Sequence, residues 1–113
     1  MVKVAKPWGN YEILKVEDGF QIKRIEVTPG HRLSYQMHAK RCEKWTITQG
    51  QGKVLLNDKS IAIQKGSMID IPTQAKHRIE NTGAESLVFF EVQIGEYLGE
   101  DDIVRIEDDY NRS

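Results

Sequence analysis

The sequence predicts an all-β fold, a sandwich or a small barrel, and three observations carry this prediction. Short runs rich in β-branched and aromatic residues recur along the chain, turn residues separate them at close and regular spacing, and no amphipathic pattern of helical period persists. The length of 113 residues is enough for one domain with a buried core and too short for two. We therefore expect a single domain over residues 1–113.

Eight runs are predicted to be strands, separated by residues that favour turns. The first is YEILKV, which stops at Glu17-Asp18-Gly19, and the second is FQIKRIEV, which stops at Thr28-Pro29-Gly30. The later runs are WTIT, KVLL, SIAI, SMIDI, HRIEN and LVFFEVQI. Between WTIT and KVLL, the segment GQG at 50–52 is interpreted as a hairpin turn. It is not a phosphate-binding loop, because no helix and no Lys-Ser/Thr follow it.

The predicted domain has three parts. Residues 1–27 form N-terminal strands, residues 28–95 form the barrel, and residues 96–113 form an acidic C-terminal segment. This last segment is either a short helix or an arm laid against the barrel. Its apolar residues argue against a free tail: Tyr97, Leu98, Ile103, Val104, Ile106 and Tyr110.

Composition excludes several classes of protein. A net charge of −1 with 39% hydrophobic residues is typical of a globular protein and not of a disordered one, and it gives no general nucleic-acid footprint. We see no signal peptide and no run long enough to span a bilayer. Cys42 is the single cysteine and cannot form an internal disulfide. We therefore expect a cytoplasmic protein with neither a nucleic-acid partner nor a membrane association.

The charges are unevenly distributed. Most charged residues between His31 and Lys53 are cations, whereas the segment after Gly95 is strongly acidic. Both charged regions are interpreted as surfaces that face solvent. The alternative is that the basic region binds a phosphorylated ligand.

A cluster of polar residues is a candidate metal site. Residues two apart on a strand share a face, so Gln36 and His38 point the same way, and Glu43 follows after a short connection. His77 lies on HRIEN and can meet them inside one barrel. Two imidazoles, a carboxylate and a carboxamide oxygen suit a divalent transition ion and leave positions open for water or substrate. Each residue alone could also be an ordinary polar position.

The spacing of these residues resembles the two motifs of the cupin superfamily. The first motif comprises Gly30, Gln36-Met37-His38, Glu43 and Gly50, and the second comprises Gly66, Pro72, Thr73, Gln74, His77 and Asn81. The superfamily usually has His at position 36 and Gly at position 74. The resemblance implies a jelly-roll barrel, also called a double-stranded β-helix, with one divalent metal ion held by Gln36, His38, Glu43 and His77.

Nearly the whole chain also resembles the cupin domain of type II phosphomannose isomerase. The segments that carry this resemblance are KPWGNYE, KRIEVTPGHRLSYQMH, IPTQAKHRIENTG and FFEVQIGEYLGEDDIVRIEDDY. Gln at position 36 fits this narrower family. The resemblance implies interconversion of mannose 6-phosphate and fructose 6-phosphate through a cis-enediol, with Zn, Mn, Co, Ni or Fe as the metal. It also implies a homodimer and a functional link to a mannose-1-phosphate guanylyltransferase.

The chain departs from the isomerase family near the first motif. The family typically reads QMHHHRAEHW, and here Lys40 and Lys44 replace imidazoles and Cys42 replaces a small residue. Lys40 is the candidate catalytic base, and it requires a pKa depressed by Arg41 and a bound metal. If the strand ends before it, Lys40 is instead a surface residue.

Two arginines are candidate ligands of the substrate phosphate, because a guanidinium binds phosphate in a bidentate manner. Arg41 flanks the metal ligands and either reaches substrate or faces water. Arg24 lies in a strand whose alternation is broken, so that either a bulge occurs at 23–24 or Arg24 points inward. Pairing of Arg24 with Glu26 or Glu91 is the alternative.

Two other functions stay open. One is a non-catalytic cupin that binds a sugar or sugar phosphate or regulates a partner, and the loss of the two imidazoles motivates it. The other is a different cupin enzyme, such as an iron dioxygenase, since fold alone does not determine chemistry.

Overall fold

Eleven β-strands make up most of residues 2–111, the part of the chain that this computed structural model describes. The strands are β1 Lys3–Lys6, β2 Gly9–Glu17, β3 Phe20–Val27, β4 Tyr35–Met37, β5 Arg41–Gln49, β6 Gln51–Leu56, β7 Lys59–Gln64, β8 Met68–Ile71, β9 His77–Asn81, β10 Leu87–Gly95 and β11 Val104–Glu107. Seven of the eight predicted runs lie wholly in strands, and the run SMIDI does so from Met68 onward. Residues 2–111 contain no helix and hence none that could cross a membrane.

The strands form two antiparallel sheets that pack face to face. Sheet A has the order β1-β2-β3-β10-β5-β8, and sheet B has the order β11-β4-β9-β6-β7. The prediction of an all-β jelly-roll fold is confirmed. Strands β1-β2-β3 and β6-β7 are consecutive neighbours, whereas the other neighbours are distant in sequence, as in the pairing of Leu87 on β10 with Val27 on β3.

The segment at 50–52 is not a hairpin turn, contrary to the prediction. It joins β5 in sheet A to β6 in sheet B, so the two strands on either side are not paired. Gly50 has φ +86°, and a Cβ at Gly52 would lie 2.1 Å from the Glu80 carbonyl oxygen. Glycine at these two positions therefore allows the backbone to cross closely from one sheet to the other. The β6–β7 hairpin turns instead at Asn57 and Asp58, which both have positive φ.

The inward face of sheet A changes from apolar to polar half-way along its strands. On β3, Ile25 and Val27 join the apolar core, while Gln21 and Lys23 are buried at the other end of the strand. The neighbouring strands β10 and β5 repeat this change. The residues concerned are apolar Leu87 and Phe89 followed by Glu91 and Gln93 on β10, and polar Arg41 and Glu43 followed by Trp45 and Ile47 on β5.

Because these strands are antiparallel, their polar halves meet at the same end of the barrel. Gln93 lies opposite Gln21 on one side and Glu43 on the other. Val54 and Ile79 of sheet B close the apolar end. Buried polar side chains need partners, and at this end they form a connected cluster that defines the site.

The C-terminal segment is an arm and not a helix. It contributes β11, which pairs with β4, and it crosses the polar end of the barrel. Its carboxylates contact cations of the barrel: Arg32 bonds Asp109 at 2.7 Å and Arg78 bonds Glu107 at 2.7 Å. The last two residues of the predicted 96–113 segment lie outside the described residues.

Candidate metal centre

Three of the four predicted metal ligands converge at the polar end of the barrel. His38 lies after β4, Glu43 on β5 and His77 on β9, so the cluster joins the two sheets. Their candidate ligand atoms all lie within 4.8 Å of one another. Nε2 of His38 is 3.3 Å from Glu43 Oε2, and Nε2 of His77 is 3.8 Å from Glu43 Oε1.

Both imidazoles are oriented by backbone carbonyls. His38 Nδ1 lies 2.7 Å from the Asp102 carbonyl oxygen, and His77 Nδ1 lies 2.9 Å from the Ala75 carbonyl oxygen. A carbonyl accepts a hydrogen bond and cannot donate one, so each Nδ1 carries the proton. Each Nε2 is therefore a lone-pair donor that faces Glu43, which is how metal-binding histidines are usually held.

Burial keeps the two imidazoles neutral. It lowers the pKa of His77, and burial with the nearby Arg41 guanidinium lowers the pKa of His38 to about 4. Neutral imidazole is the form that binds metals, because the charged form has no lone pair to give. The donor set therefore fits a divalent ion.

Gln36, the fourth predicted ligand, lies in the same cavity. It is directly opposite His77 in the β4–β9 pairing, so the two side chains share a face. Its amide nitrogen donates to the Ser34 carbonyl at 3.4 Å. The amide oxygen is the atom with which Gln36 can serve as a ligand.

Arg41 is buried beside the ligands and contacts two of them. Its Nε donates to Glu43 Oε2 at 2.9 Å, and its Nη2 lies 3.3 Å from His38 Nε2. Its Nη1 is buried without a hydrogen-bond partner among the described residues. An unpaired buried donor is costly, and here it lies on the wall of a cavity.

That cavity is the polar interior of the barrel and has a volume of ≈ 130 Å³. It includes the four predicted metal ligands and is closed at one side by Trp8, Ile25 and Ile79. Cations are prominent among the remaining lining residues, which include Lys6, Lys23, Arg41, Arg78 and Arg105. Such a wall suits an anionic ligand.

Glu91 is the buried carboxyl group next to the metal ligands. Burial and the neighbouring Glu43 raise the pKa of Glu91 to about 8. The Trp45 indole donates to both carboxyl groups, at 3.0 Å to Glu43 and 3.1 Å to Glu91. Trp45 therefore ties the metal-ligand strand β5 to β10.

The prediction of an inward Arg24 is wrong. Strand β3 alternates regularly, with Gln21, Lys23, Ile25 and Val27 inward, so Arg24 is on the outer face. Its Nη1 pairs with Glu26 Oε1 at 3.2 Å, which is the alternative considered from the sequence. The inward cation of this strand is Lys23. In the sequence, the alternate positions of Lys23, Ile25 and Val27 indicate that Lys23 shares their inward face. The apolar residues Phe20 and Ile22 on the other face make this assignment ambiguous.

Lys40 is also outside the cavity. Strand β4 ends at Met37, and Lys40 is an exposed residue of the β4–β5 connection whose ammonium lies 4.9 Å from the centre of the Tyr97 ring. The strand does not continue to Lys40, so the alternative considered from the sequence, a surface position, is the one observed.

The other departures near the first motif lie on the outer face of β5. Lys44 is exposed and pairs with Asp70 at 3.3 Å, and Cys42 is a half-buried free thiol between two inward residues. The substitutions at 40, 42 and 44 thus leave the cavity wall unchanged.

Comparison with known proteins identifies the family of the chain. The sequence profile of the family described as mannose-6-phosphate isomerase C-terminal matches residues 1–108. The xanthan biosynthesis protein XanB of Xanthomonas campestris pv. campestris (strain B100) is 44% identical over 98% of this chain and 24% of its own length. A mannose-1-phosphate guanylyltransferase of Escherichia coli is 41% identical over 97% and 23%, respectively. The chain thus spans about a quarter of these relatives.

Solved structures show the same fold at low sequence identity. The oxalate decarboxylase of Lactobacillus farciminis superposes with a TM-score of 0.81 over 93% of this chain and 33% of that chain. The two sequences are 23% identical, so this likeness establishes the cupin fold and not the chemistry.

Proposed function

Because this chain belongs to the mannose-6-phosphate isomerase C-terminal family, we propose that it is a metal-dependent isomerase that interconverts mannose 6-phosphate and fructose 6-phosphate. The observation that carries the proposal is the cluster of His38, Glu43 and His77 in a cavity lined by cations. The cluster suits a metal ion, and the cations suit a phosphorylated substrate.

The residues that would hold the metal are Gln36, His38, Glu43 and His77. A divalent ion of Zn, Mn, Co, Ni or Fe at these donors would supply Lewis acidity for the sugar's carbonyl and hydroxyl oxygens. The tautomers described above support this assignment, because both Nε2 lone pairs face Glu43.

Other residues of the cavity bind and enclose the substrate. Arg41 is a substrate-binding residue in this proposal, since its buried Nη1 can donate to a sugar or phosphate oxygen. The barrel wall and the arm limit access of water to the enediol, which would otherwise exchange its proton with solvent.

The decisive experiment measures conversion of mannose 6-phosphate to fructose 6-phosphate by protein reconstituted with each candidate metal. Turnover that disappears with a chelator and returns with metal is the expected result. Tight binding of mannose 6-phosphate without turnover would overturn the isomerase proposal and indicate a non-catalytic sugar-phosphate-binding cupin. Oxygen consumption by the iron-loaded protein, with no isomerisation, would indicate a different cupin enzyme.

Assembly and partners are part of the same proposal. We expect a homodimer in the cytoplasm that works with a mannose-1-phosphate guanylyltransferase. The curated relatives named for that activity support this link, because they contain a region similar to this chain within a protein about four times longer. A molar mass of twice 13.0 kDa by light scattering is the expected result, and a monomer at all concentrations would exclude the dimer.

A further inference from the structure

We propose that Lys23 is the anchor for the substrate's phosphate group, and that Glu100 of the C-terminal arm occupies this anchor until the phosphate replaces it. This inference rests on the proposed function, since it names the residue that would select a phosphorylated sugar. It replaces the sequence-based assignment of that role to Arg24.

Lys23 is an ammonium group buried in the cavity wall. The residue is 5% exposed, and its Nζ lies 4.3 Å from the centre of the Tyr11 ring. Its ion pair is with the carboxylate of Glu100. A buried ammonium without an anion is strongly unfavourable, so Lys23 requires a negative partner at all times.

The two members of this ion pair differ in exposure. The side chain of Lys23 is 6% exposed, whereas that of Glu100 is 54% exposed. Release of Glu100 therefore returns an already half-solvated carboxylate to water at little cost. Release without replacement would leave the buried Lys23 ammonium without its ion-pair partner, beside the buried carboxyl group of Glu91 on the neighbouring strand. The arrangement thus favours exchange of one anion for another, and a phosphate dianion carries more charge than a carboxylate.

The position of Lys23 matches the length of a hexose 6-phosphate. In sheet A, Lys23 is opposite Glu91, and Glu91 is opposite Trp45 on β5, the strand of Glu43. Two strand spacings place the backbones of Lys23 and β5 about 10 Å apart. A six-carbon sugar with its carbonyl end at the metal ligands can therefore direct its terminal phosphate towards Lys23.

A second cation lies close to the same place. The ammonium of Lys6 on β1 is 5.8 Å from the centre of the Tyr11 ring, on the same ring that Lys23 contacts. Lys6 and Lys23 both line the cavity, and so does Glu100. Lys6 therefore adds a second positive charge to this side of the cavity, which suits a phosphate dianion.

The test is calorimetric titration of the full chain, with and without metal, using mannose 6-phosphate, mannose and inorganic phosphate as separate ligands. Lys23→Met is expected to weaken binding of mannose 6-phosphate about 10- to 100-fold and to leave mannose binding unchanged. Lys23→Arg keeps the charge and is expected to retain most of the affinity. Lys15→Met, on the outer side of β2, is the matched control.

Glu100→Gln tests the exchange itself. Removal of the competing carboxylate is expected to strengthen binding of both mannose 6-phosphate and inorganic phosphate by about threefold or more, with Glu17→Gln as the control. Unchanged affinity in Glu100→Gln would overturn the exchange. The anchor would be overturned if Lys23→Met bound mannose 6-phosphate within twofold of the parent affinity. The comparison requires that the variant is folded, as shown by a cooperative unfolding transition.

A failure of the Lys23 anchor can be distinguished from a failure of the proposed isomerase function. Lys23-dependent phosphate binding by a protein without isomerase turnover would contradict the proposed function and support the anchor. If turnover is chelator-sensitive but substitution of Lys23 leaves the affinity for mannose 6-phosphate unchanged, only the anchor is contradicted and the proposed function stands. Inorganic phosphate binding by the metal-free protein gives a result that does not depend on activity.

Discussion

Two backbone carbonyls, those of Ala75 and Asp102, decide which nitrogen of each cavity imidazole faces Glu43. At the scale of single residues, this orientation gives the cluster two imidazole lone pairs directed at one carboxylate, as the proposed metal site requires. Arg41 contacts the same Glu43 and His38 atoms, at 2.9 Å to Glu43 and 3.3 Å to His38. A metal ion held by those atoms would take over these two contacts and leave the guanidinium for substrate.

His38→Ala and His77→Ala are each expected to abolish tight metal binding in a protein that still folds, because each removes a lone-pair donor at the cluster. Metal content after dialysis, measured by mass spectrometry, checks this. His31→Ala is the control, since His31 bonds Tyr110 and is not in the cavity. Unchanged metal stoichiometry in both cavity variants would contradict the site assignment.

Lys40→Ala is expected to retain turnover within about twofold, because the ammonium is exposed and directed at Tyr97. Lys40→His, which introduces the residue usual in the isomerase family, is expected to behave in the same way. Steady-state kinetics of both variants check this. A fall of 100-fold in Lys40→Ala alone would mean that the β4–β5 connection moves and that Lys40 acts as the base.

The stability of the metal-free protein is expected to depend on His38. Its pKa is about 4 in the folded state against an ordinary 6.5, so between these values the unfolded chain binds a proton that the folded chain does not. The free energy of unfolding therefore falls as pH decreases from about 6.5 to about 4, by up to about 3 kcal/mol from this residue. Urea denaturation with a chelator present measures it.

His38→Gln provides the comparison for that measurement. The glutamine cannot titrate, so its stability is expected to fall less steeply over the same pH range. Glu91 has a raised pKa of about 8, so its contribution to the free energy of unfolding increases as pH falls. This contribution is common to the parent and to His38→Gln, and the comparison removes it. Identical slopes would contradict the assignment of a buried neutral His38.

At the scale of elements, the arm completes a site built from three strands and the connection that follows β4. Asp102 holds both the imidazole and the connection that carries it: its carbonyl accepts from His38, and its carboxylate accepts from the N–H groups of Ala39 and Lys40 at 3.0 and 2.9 Å. Burial tends to raise the pKa of Asp102, but these two N–H groups lower it below its ordinary value. The carboxylate is therefore charged and holds the arm in place.

Asp102→Ala is expected to lower metal affinity by about tenfold, because the carbonyl that orients His38 loses its anchor. It should also cost about 1 kcal/mol of stability. Metal titration and urea denaturation measure the two effects. Asp101→Ala, at an exposed neighbour that bonds Tyr97, is the matched control, and equal effects in both variants would contradict a specific role for Asp102.

The strands were largely predictable because alternation and turn residues are local signals. Phe20–Val27 and His77–Asn81 have the predicted bounds. The phase of β3 was not predictable from its own residues, since Phe20 and Ile22 make its outer face as apolar as its inner one. The hydrogen bond between Asp102 and His38 joins residues 64 positions apart, so no local sequence pattern could predict it. The cluster itself was predictable only because its spacing matches known motifs.

At the scale of the whole molecule, the cluster of His38, Glu43 and His77 connects the two sheets. Glu43 belongs to sheet A, while His77 belongs to sheet B. A ligand that binds only the folded state stabilises it. We therefore expect a bound metal ion to link the two sheets, in addition to the apolar core and the hydrogen bond from Asn81 of sheet B to the Val27 carbonyl of sheet A.

Removal of the metal is expected to lower the melting temperature by on the order of 10 °C, for metal present at about 100 times its dissociation constant. Calorimetry with and without chelator checks this. The double variant His38→Ala with His77→Ala is the control, since it has no site to lose. An equal shift in that variant would show that the chelator acts elsewhere.

Cys42 lies between Arg41 and Glu43 and is kept out of the cavity only by the alternation of β5. A slip of β5 by one residue against β10 and β8 would reverse every side chain of the strand and would bring a thiol to the position of the carboxylate. The hard oxygen donor would then become a soft sulfur donor, and metal preference would move towards zinc and copper. If the cluster holds a metal ion as proposed, its selectivity for one ion over another depends on strand register as much as on ligand identity.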